Sequence, residues 1–315
     1  MAIDPEPTAK RFPAVLFGDP WTTGAISRSV SSHLGRRWRP AEVTDMSSLA
    51  SHEAFLIADS RFAVFAKRAT GDSASARLRS EADALGFLAR TGGLRTPEVI
   101  GVLEPPRAAD SAILVLEGFR ALPRSPERWR EIGRALARLH AVGSSRFGRN
   151  VDGYWGDFVQ RNTPLADWPE FFWTRRVEPH LREVLARVDL PSPVTRSITL
   201  VESRLEELVG PDIQPSLLHG DAHVNNVVST HDGPVFVDPA PYFGHPEMDL
   251  AYVDFFNDAS DELLAGYAEL TPIDDGFASR RELWRLPARL AMVEAAGPGC
   301  VVDLALSLAT ILGQT

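Results

Sequence analysis

His219-Gly220-Asp221-Ala222-His223-Val224-Asn225-Asn226 decides the reading of this chain, together with Asp238, which ends the apolar run Pro234-Val235-Phe236-Val237. Asp221 and Asn226 stand in the D-x-x-x-x-N spacing of a loop that serves phosphoryl transfer to a hydroxyl. That chemistry needs a carboxylate to orient the acceptor hydroxyl and take its proton, oxygen ligands to hold Mg²⁺ on the phosphates, and a cation to fix the nucleotide. Asp221 fits the first role. The amide oxygen of Asn226 suits a hard cation, and Asp238 sits at a strand end where a second metal-binding carboxylate belongs. A bland reading makes His219-Gly220-Asp221 a turn and Asp238-Pro239 a strand end; the loop spacing, the later carboxylate and the order of elements would then coincide by chance. A sharper rival is a metal hydrolase. His219, Asp221 and His223 alternate and would share one face of a strand, a trio able to bind zinc or iron. Gly220 and two asparagines favour a loop instead.

Upstream, the sequence favours short strands from about residue 41 to 117. Ala54 to Ala58 and Phe62 to Lys67 flank the turn Asp59-Ser60-Arg61 as a hairpin. Ala76 to Arg90 repeats Leu78, Ala82, Leu85 and Leu88 on one helical face; Glu98 to Leu103 and Ala112 to Glu117 read as two more strands. Lys67 ends a strand and Glu81 lies on the next helix, the arrangement in which a lysine contacts nucleotide phosphates and a glutamate holds it. The nucleotide loop expected before Lys67 falls at Met46 to His52. It offers Ser47 and Ser48 but no glycine, so backbone N–H groups would have to cradle phosphate.

After Pro123 the texture turns helical. Ser125 is an N-cap with Pro126 at the first helical position, and Trp129, Ile132, Leu136 and Leu139 follow at helical spacing. Asp167 to Arg187 and Thr195 to Val209 read as helices, then a β interlude, then helices from Glu247 to the end. The order predicts an α+β, two-lobed chain. Residues 1–117 form a small antiparallel-sheet, nucleotide-binding lobe, with 1–12 outside its ordered part. Residues 118–315 form a larger, mainly helical lobe for catalysis and the acceptor.

Composition narrows the partners. Of 315 residues, 24% are charged and the net charge is −9, unsuited to nucleic acid, which needs clustered Lys and Arg. Arg36, Arg37 and Arg39, around Trp38, read as a solvated surface. The single cysteine, Cys300, excludes an intrachain disulfide and a four-cysteine zinc site. The N-terminus lacks an apolar signal core, and no run approaches the ~20 apolar residues of a membrane span. A cytoplasmic protein with a small-molecule partner is the expectation; oligomeric state is not legible.

The run Val237-Asp238-Pro239-Ala240-Pro241-Tyr242-Phe243-Gly244-His245-Pro246-Glu247-Met248-Asp249-Leu250-Ala251, with the loop before it, resembles the fructosamine kinase family of the aminoglycoside-phosphotransferase-like superfamily. Leu136-Ala137-Arg138-Leu139-His140 and the helix Trp168 to Leu181 resemble family segments, as do Tyr267, Pro272 to Phe277 and Arg280-Arg281. The resemblance covers roughly residues 41–300. It implies a two-lobed protein-kinase-like fold, ATP with Mg²⁺, and phosphorylation of a sugar-amine such as a fructosamine or ribulosamine. It implies Asp221 as base, Asn226 and Asp238 on Mg²⁺, Lys67 on ATP, and Glu117, Gly118 and Phe119 as the hinge that meets adenine. His219 and Asp249 would brace the catalytic loop.

The chain departs from the family pattern at His223, where an aromatic is usual, at Val224 and Asn225, where glycines are, in the missing glycine-rich loop, and at Met292 to Cys300. These departures keep an aminoglycoside, another amino sugar or a biosynthetic metabolite open as acceptor, and behind them a catalytically inactive pseudokinase. Candidate acceptor residues are Trp155, Trp173, Tyr242, His245 and Glu247, since aromatics suit sugar faces and carboxylates suit amines. Trp173 lies in a helical pattern, where an aromatic more often serves the core.

Overall fold

The structure, a computed structural model, describes residues 10–11, 16–48, 52–106 and 110–314. The chain divides into two compact units: Met1–Arg90, Arg95–Pro123 and Val228–Asp238 form one, and Thr91–Leu94, Arg124–Val227 and Pro239–Thr315 form the other.

In the first unit, β1 (Lys10–Arg11), α1 (Pro20–Leu34), β2 (Glu42–Asp45), β3 (Ala54–Ala58), β4 (Ala63–Thr70), α2 (Ala74–Gly92), β5 (Val99–Leu103) and β6 (Ser111–Glu117) follow in order. The strands make an antiparallel sheet in the order β1-β2-β3-β4-β6-β5. β6 is buried on both faces, and its alternation sorts the core in two. Ile113 and Val115 pack with Ile26 and Val30 of α1, while Ala112, Leu114 and Leu116 pack with Leu78 and Leu85 of α2. The β3–β4 hairpin turns as expected, with Asp59 Oδ1 accepting from the amides of Arg61 (2.8 Å) and Phe62 (2.7 Å). The stretch around Trp38 is only partly surface. Arg37 and Arg39 are exposed, but Trp38 is buried, donates its indole N–H to Phe62 O at 3.3 Å, and sits against α1.

In the second unit, α3 (Pro126–His140) starts on Ser125, whose hydroxyl accepts from Arg128 N. After β7 (Gly153–Trp155) and β8 (Phe158–Gln160) comes the helix expected over 167–187. It is continuous but not uniform: α4 (Trp168–Phe172), a π-helical turn at Trp173–Val177, then α5 (Glu178–Arg187). Pro179 explains the widening. It has no N–H, and its ring bars the carbonyl of Arg175, four residues earlier, from an α-type bond. The guanidinium of Arg176 takes that carbonyl at 3.0 Å. The next expected helix is also split, into α6 (Ser192–Ser203) and α7 (Leu205–Leu208), where Arg204 leaves helical geometry at φ −110°.

β9 (Ser216–Leu217) leads to a 3₁₀ turn at Val224–Asn226, then β10 (Val227–Thr230) and β11 (Gly233–Phe236) pair as a hairpin that belongs, from Val228 on, to the first unit. There Leu122 N donates to Ser229 O and Phe236 N to Arg95 O. β12 (Phe243–Gly244) pairs with β9, and α8 (Glu247–Tyr252), α9 (Asp261–Ala268), α10 (Phe277–Ala296) and α11 (Val301–Ile311) complete the second unit. By length and composition alone, Phe277–Ile311 would suffice to cross a membrane, unlike the expectation from the sequence. The stretch is not one rod. It breaks at Gly297, φ 78°, and α11 returns along α10, with Ser307 Oγ 2.9 Å from Glu282 Oε2.

α3 and α9 cross at two glycines. A Cβ on Gly133 would stand 1.9 Å from Leu263 O, and one on Gly266 2.3 Å from Arg130 O. Each helix therefore uses the other's missing side chain. Gly133→Ala should gain in helix propensity but force the pair apart, for a net loss of about 1–3 kcal/mol, read as a lower urea midpoint. An unchanged midpoint would show that the crossing yields freely.

Candidate active site

In the first unit, β4 and α2 bring three charged groups together. Lys67 shares the α2 side of the sheet with Ala69, two residues on, so Glu81 reaches it: Lys67 Nζ lies 2.8 Å from Glu81 Oε2. The same ammonium is hydrogen-bonded to Asp238 Oδ1. Burial alone would depress the lysine, but the charges of Asp238 and Glu81 outweigh it and hold its pKa above the ordinary value. One cation serves two carboxylates, and the more buried one yields. Burial first and the charge of Asp238 second, against the pull of Lys67, push Glu81 up to about 8. Asp238 has φ 51°, a left-handed conformation that a non-glycine residue adopts at a cost.

Three further positions lie on this unit. Gly118 follows β6 and donates its N–H to Ala63 O at 2.9 Å; a Cβ there would stand 2.8 Å from the Val64 carbonyl carbon, so the strand approaches too closely for any side chain. Glu117 N donates to Glu98 O, and the Phe119 ring lies under the Arg95 guanidinium. The turn after β2 places Ser47 Oγ between both ends of its loop, accepting from Ala54 N at 3.1 Å, while Ser47 N donates to Asp45 Oδ1. Ser48 is exposed, and residues 49–51 of the expected nucleotide loop lie outside the described residues.

In the second unit, the catalytic-loop residues form a bracket. Asp249, buried in α8, accepts from His219 N at 2.7 Å and His140 Nε2 at 3.1 Å through Oδ2, and from Gly220 N at 2.9 Å through Oδ1. A carboxylate only accepts, so Nε2 of His140 carries a proton and its Nδ1 takes the hydroxyl hydrogen of Tyr267 at 2.9 Å. Gly220 has φ 81°, and a Cβ on it would meet Ala240 O at 1.9 Å, so no other residue fits. His219 is fully buried and its Nδ1 accepts from Asp221 N at 3.3 Å. Asn226 Nδ2 donates to both the carbonyl and Oδ2 of Asp221, each at 2.9 Å. Its amide hydrogens thus hold the carboxylate, and its oxygen is the end suited to a hard cation.

The sequence missed Arg124, just after the stretch expected to be the hinge. Its guanidinium donates to Val224 O and Val227 O, clamping the 3₁₀ turn of the catalytic loop, and lies 4.7 Å from the Trp129 ring. An isolated arginine after a proline gives no signal of such reach. His223 lies 3.6 Å through Nε2 from Asp221 Oδ2 and meets the Phe256 ring edge-on. Among the described residues no group of three or more His, Cys, Asp or Glu is placed to hold a metal, so His219, Asp221 and His223 do not form the hydrolase trio.

A narrow cleft adjoins this loop at Gly220. Trp155, Phe158, Gln160, Arg175, Arg176, His180, Tyr242 and Tyr252 are among its lining. Trp155 and Tyr252 stack with centroids 6.1 Å apart, and Phe158 meets His180 edge-on at 4.9 Å. Of the candidate acceptor residues, the structure brings Trp155 and Tyr242 here and sends the rest to the core. Trp173 is buried in the π-helical turn. His245 packs on Trp284. Glu247 forms a two-pronged ion pair with Arg280 and accepts from Trp284 Nε1 at 2.7 Å.

Asp249→Asn would turn an NH₂ toward a backbone N–H of His219 or Gly220. A buried donor left without an acceptor costs about 1–3 kcal/mol, so the urea midpoint should fall by that much; an unshifted midpoint would remove Asp249 as the loop's anchor. His245 gives a pH test. Burial pulls it down to about 4, Arg280 adds to the depression, and Glu247 opposes it. The folded-state value lies below the ordinary 6.5, so the unfolded chain takes the proton first. This contribution is complete above about pH 6.5 and is lost as pH falls toward 4, with a slope up to about 1.4 kcal/mol per pH unit. Unfolding free energies of wild type and His245→Gln should diverge over that window. Parallel pH profiles would place the acid loss elsewhere.

The fructosamine kinase family profile matches residues 20–313. A probable ketoamine kinase from Synechocystis sp. is 30% identical over 274 residues, covering 85% of this chain and 88% of that protein. The crystal structure of a candidate fructosamine-3-kinase from Thermobifida fusca superposes with a TM-score of 0.78 at 29% identity, covering 92% of this chain and 99% of that one. At 14% identity, an aminoglycoside phosphotransferase solved with AMP-PNP and hygromycin B shares the fold, with a TM-score of 0.60 over 92% of this chain and 97% of its own. With its antiparallel sheet, its helical second unit and a family match from α1 to the end of α11, this chain belongs to the fructosamine kinase family.

Proposed function

We propose that the protein transfers the γ-phosphoryl group of ATP to a hydroxyl of a ketoamine, a sugar borne on an amine. The observation that carries this reading is the Asp221 carboxylate, held at 2.9 Å by the Asn226 amide on a loop whose backbone Asp249 grips. Such a carboxylate is fixed in place before any acceptor arrives, which is what a base that must orient one hydroxyl requires. The ketoamine comes from the family and from relatives named ketoamine kinases. Aromatic walls at Trp155 and Tyr252 suit a sugar face beside the loop.

In this reading Lys67 pairs with the nucleotide phosphates and Glu81 holds its ammonium. The backbone of Glu117 to Phe119 meets adenine, and Ser47 and Ser48 belong to the loop that covers the phosphates. Asn226 Oδ1 and the Asp238 carboxylate are each hard oxygen donors of the kind Mg²⁺ takes. Held by such donors, the ion would offset phosphate charge. Asp221 accepts the acceptor's hydroxyl proton as its oxygen bonds to the γ-phosphorus and the bond to the ADP oxygen breaks. Arg124 and Asp249 hold the loop still; neither takes part in the transfer.

The test is ADP release with Mg-ATP on fructosyl- and ribulosyl-amines. Asp221→Ala should lower kcat by about 10²–10⁴-fold with nucleotide affinity nearly unchanged, and Lys67→Ala should raise the KM for ATP. Retained turnover in Asp221→Ala would sink the assignment of the base. An absence of ATP binding in the wild type would sink the kinase.

A further inference from the structure

The cleft beside Gly220 has a chemical character that sugar binding alone does not require. Its lining holds two arginines, Arg175 and Arg176, and a histidine, His180, and among the described residues no lining side chain is acidic. The nearby carboxylate of Glu294 is already committed, 2.8 Å from His180 Nδ1.

Among the described residues neither guanidinium group meets an anion. Arg176 is buried, and its donors go to neutral oxygens: Arg161 O at 2.8 Å, Arg175 O at 3.0 Å and Asn162 Oδ1 at 2.7 Å. Tyr242 adds a further neutral hydrogen-bond partner, and the guanidinium lies 3.8 Å from the Tyr242 ring and 4.8 Å from Phe171. Arg175 donates to Thr174 Oγ1 at 3.2 Å. The Nε–H of each arginine is buried without an acceptor. Elsewhere in the same unit, Arg280, Arg281, Arg285 and Arg289 all meet carboxylates. A buried cation without a counter-ion costs free energy unless something anionic completes it. Burial has already pushed the pKa of Arg176 down, the same tension seen from the proton's side.

The aromatic part of the lining complements this. Trp155, Phe158 and Tyr252 line the same cleft, and aromatic rings attract an ammonium. A ligand that satisfies both sets of side chains carries a cationic nitrogen and, a few atoms away, an anion. Guanidinium matches a carboxylate in a two-pronged geometry.

We infer that the acceptor is a ketoamine of a free α-amino acid, whose carboxylate is bound by Arg175 and Arg176 while its secondary ammonium lies against the aromatic wall. The inference rests on the ketoamine-kinase reading. It argues against polycationic amino sugars as acceptors, because they would bring positive charge to a cleft lined by two arginines and, among the described residues, by no acidic side chain. Arg176 doubles as a positioning residue. Asn162 Oδ1 also accepts from Gln160 Nε2 at 3.2 Å, and Gln160 Nε2 donates to Ala240 O at 3.0 Å, the carbonyl against which Gly220 packs. An anion drawn onto Arg176 therefore pulls on the support of the catalytic loop.

The test compares steady-state phosphorylation of a fructosyl- or ribulosyl-amino acid with that of its carboxamide, and of glucosamine and an aminoglycoside, in wild type and Arg175→Met. The expected KM for the acid is about ten- to hundredfold below that for the amide, the range of a charge-assisted hydrogen bond, and Arg175→Met narrows that ratio to within about threefold. Equal KM for acid and amide in the wild type overturns the carboxylate site and leaves the ketoamine kinase standing. Preference for the aminoglycoside overturns both, as does turnover of no ketoamine while ATP still binds. If Arg175→Met does not fold, the wild-type ratio decides alone.

Discussion

One buried carboxylate organises the second unit. Asp249 accepts three hydrogen bonds, two from successive backbone amides at His219 and Gly220 and one from His140. The amides fix the start of the catalytic loop. The imidazole ties α8 to the end of α3, and Tyr267 extends the tie to α9. Three helices and a loop thus meet at one side chain that could not be buried unpaired. The close α3–α9 crossing at Gly133 and Gly266 is what lets Tyr267 reach His140.

Support for Asp221 arrives from several directions: its carboxylate accepts from the Asn226 amide and lies 3.6 Å from His223 Nε2, and its backbone is held from other segments. Arg124 holds one carbonyl in the loop's 3₁₀ turn and one just after it, Ala240 closes against Gly220, and His219 accepts from the Asp221 amide. A strong cationic partner lowers the basicity of a carboxylate, and anchors placed on the backbone hold the loop without drawing on that basicity. The first unit solves a different problem. Lys67 is kept charged in a buried place by two carboxylates, one of them strained at φ 51°.

The sequence made the main elements legible where periodicity and punctuation were strong. The β3–β4 hairpin, α2 and the start of α3 stand where Asp59, the Leu78–Leu85 stripe and Ser125-Pro126 put them. The reading missed α1, although Asp19 before Pro20 and Gly35 after Leu34 mark both its ends. The surface reading around Trp38 holds for Arg37 and Arg39 but not for Trp38 itself, a core tryptophan that the surrounding charge hid. The contact between Asp221 and Asn226 was legible in the loop, where spacing along the chain equals proximity in space. The cleft beside Gly220 was not. Glu247 and His245 stand in a distinctive motif, yet their side chains serve Arg280 and Trp284. Arg175, Phe158 and Tyr252 reach the cleft from three separate segments with no common spacing.

The π-helical turn at Trp173–Val177 has a consequence for how this helix is compared with others. A turn closed over five residues instead of four acts as one inserted residue, so everything after it is rotated by about 100° relative to an unbroken α-helix. Two consecutive arginines would ordinarily diverge by that same angle; within the widened turn both line one cleft. Removing a single residue here would close the turn to regular α geometry and leave the side chains from Pro179 to Arg187 aimed as they are, because the widened turn already absorbs the extra residue. What such a deletion would withdraw is the extra residue that the widened turn presents to the cleft.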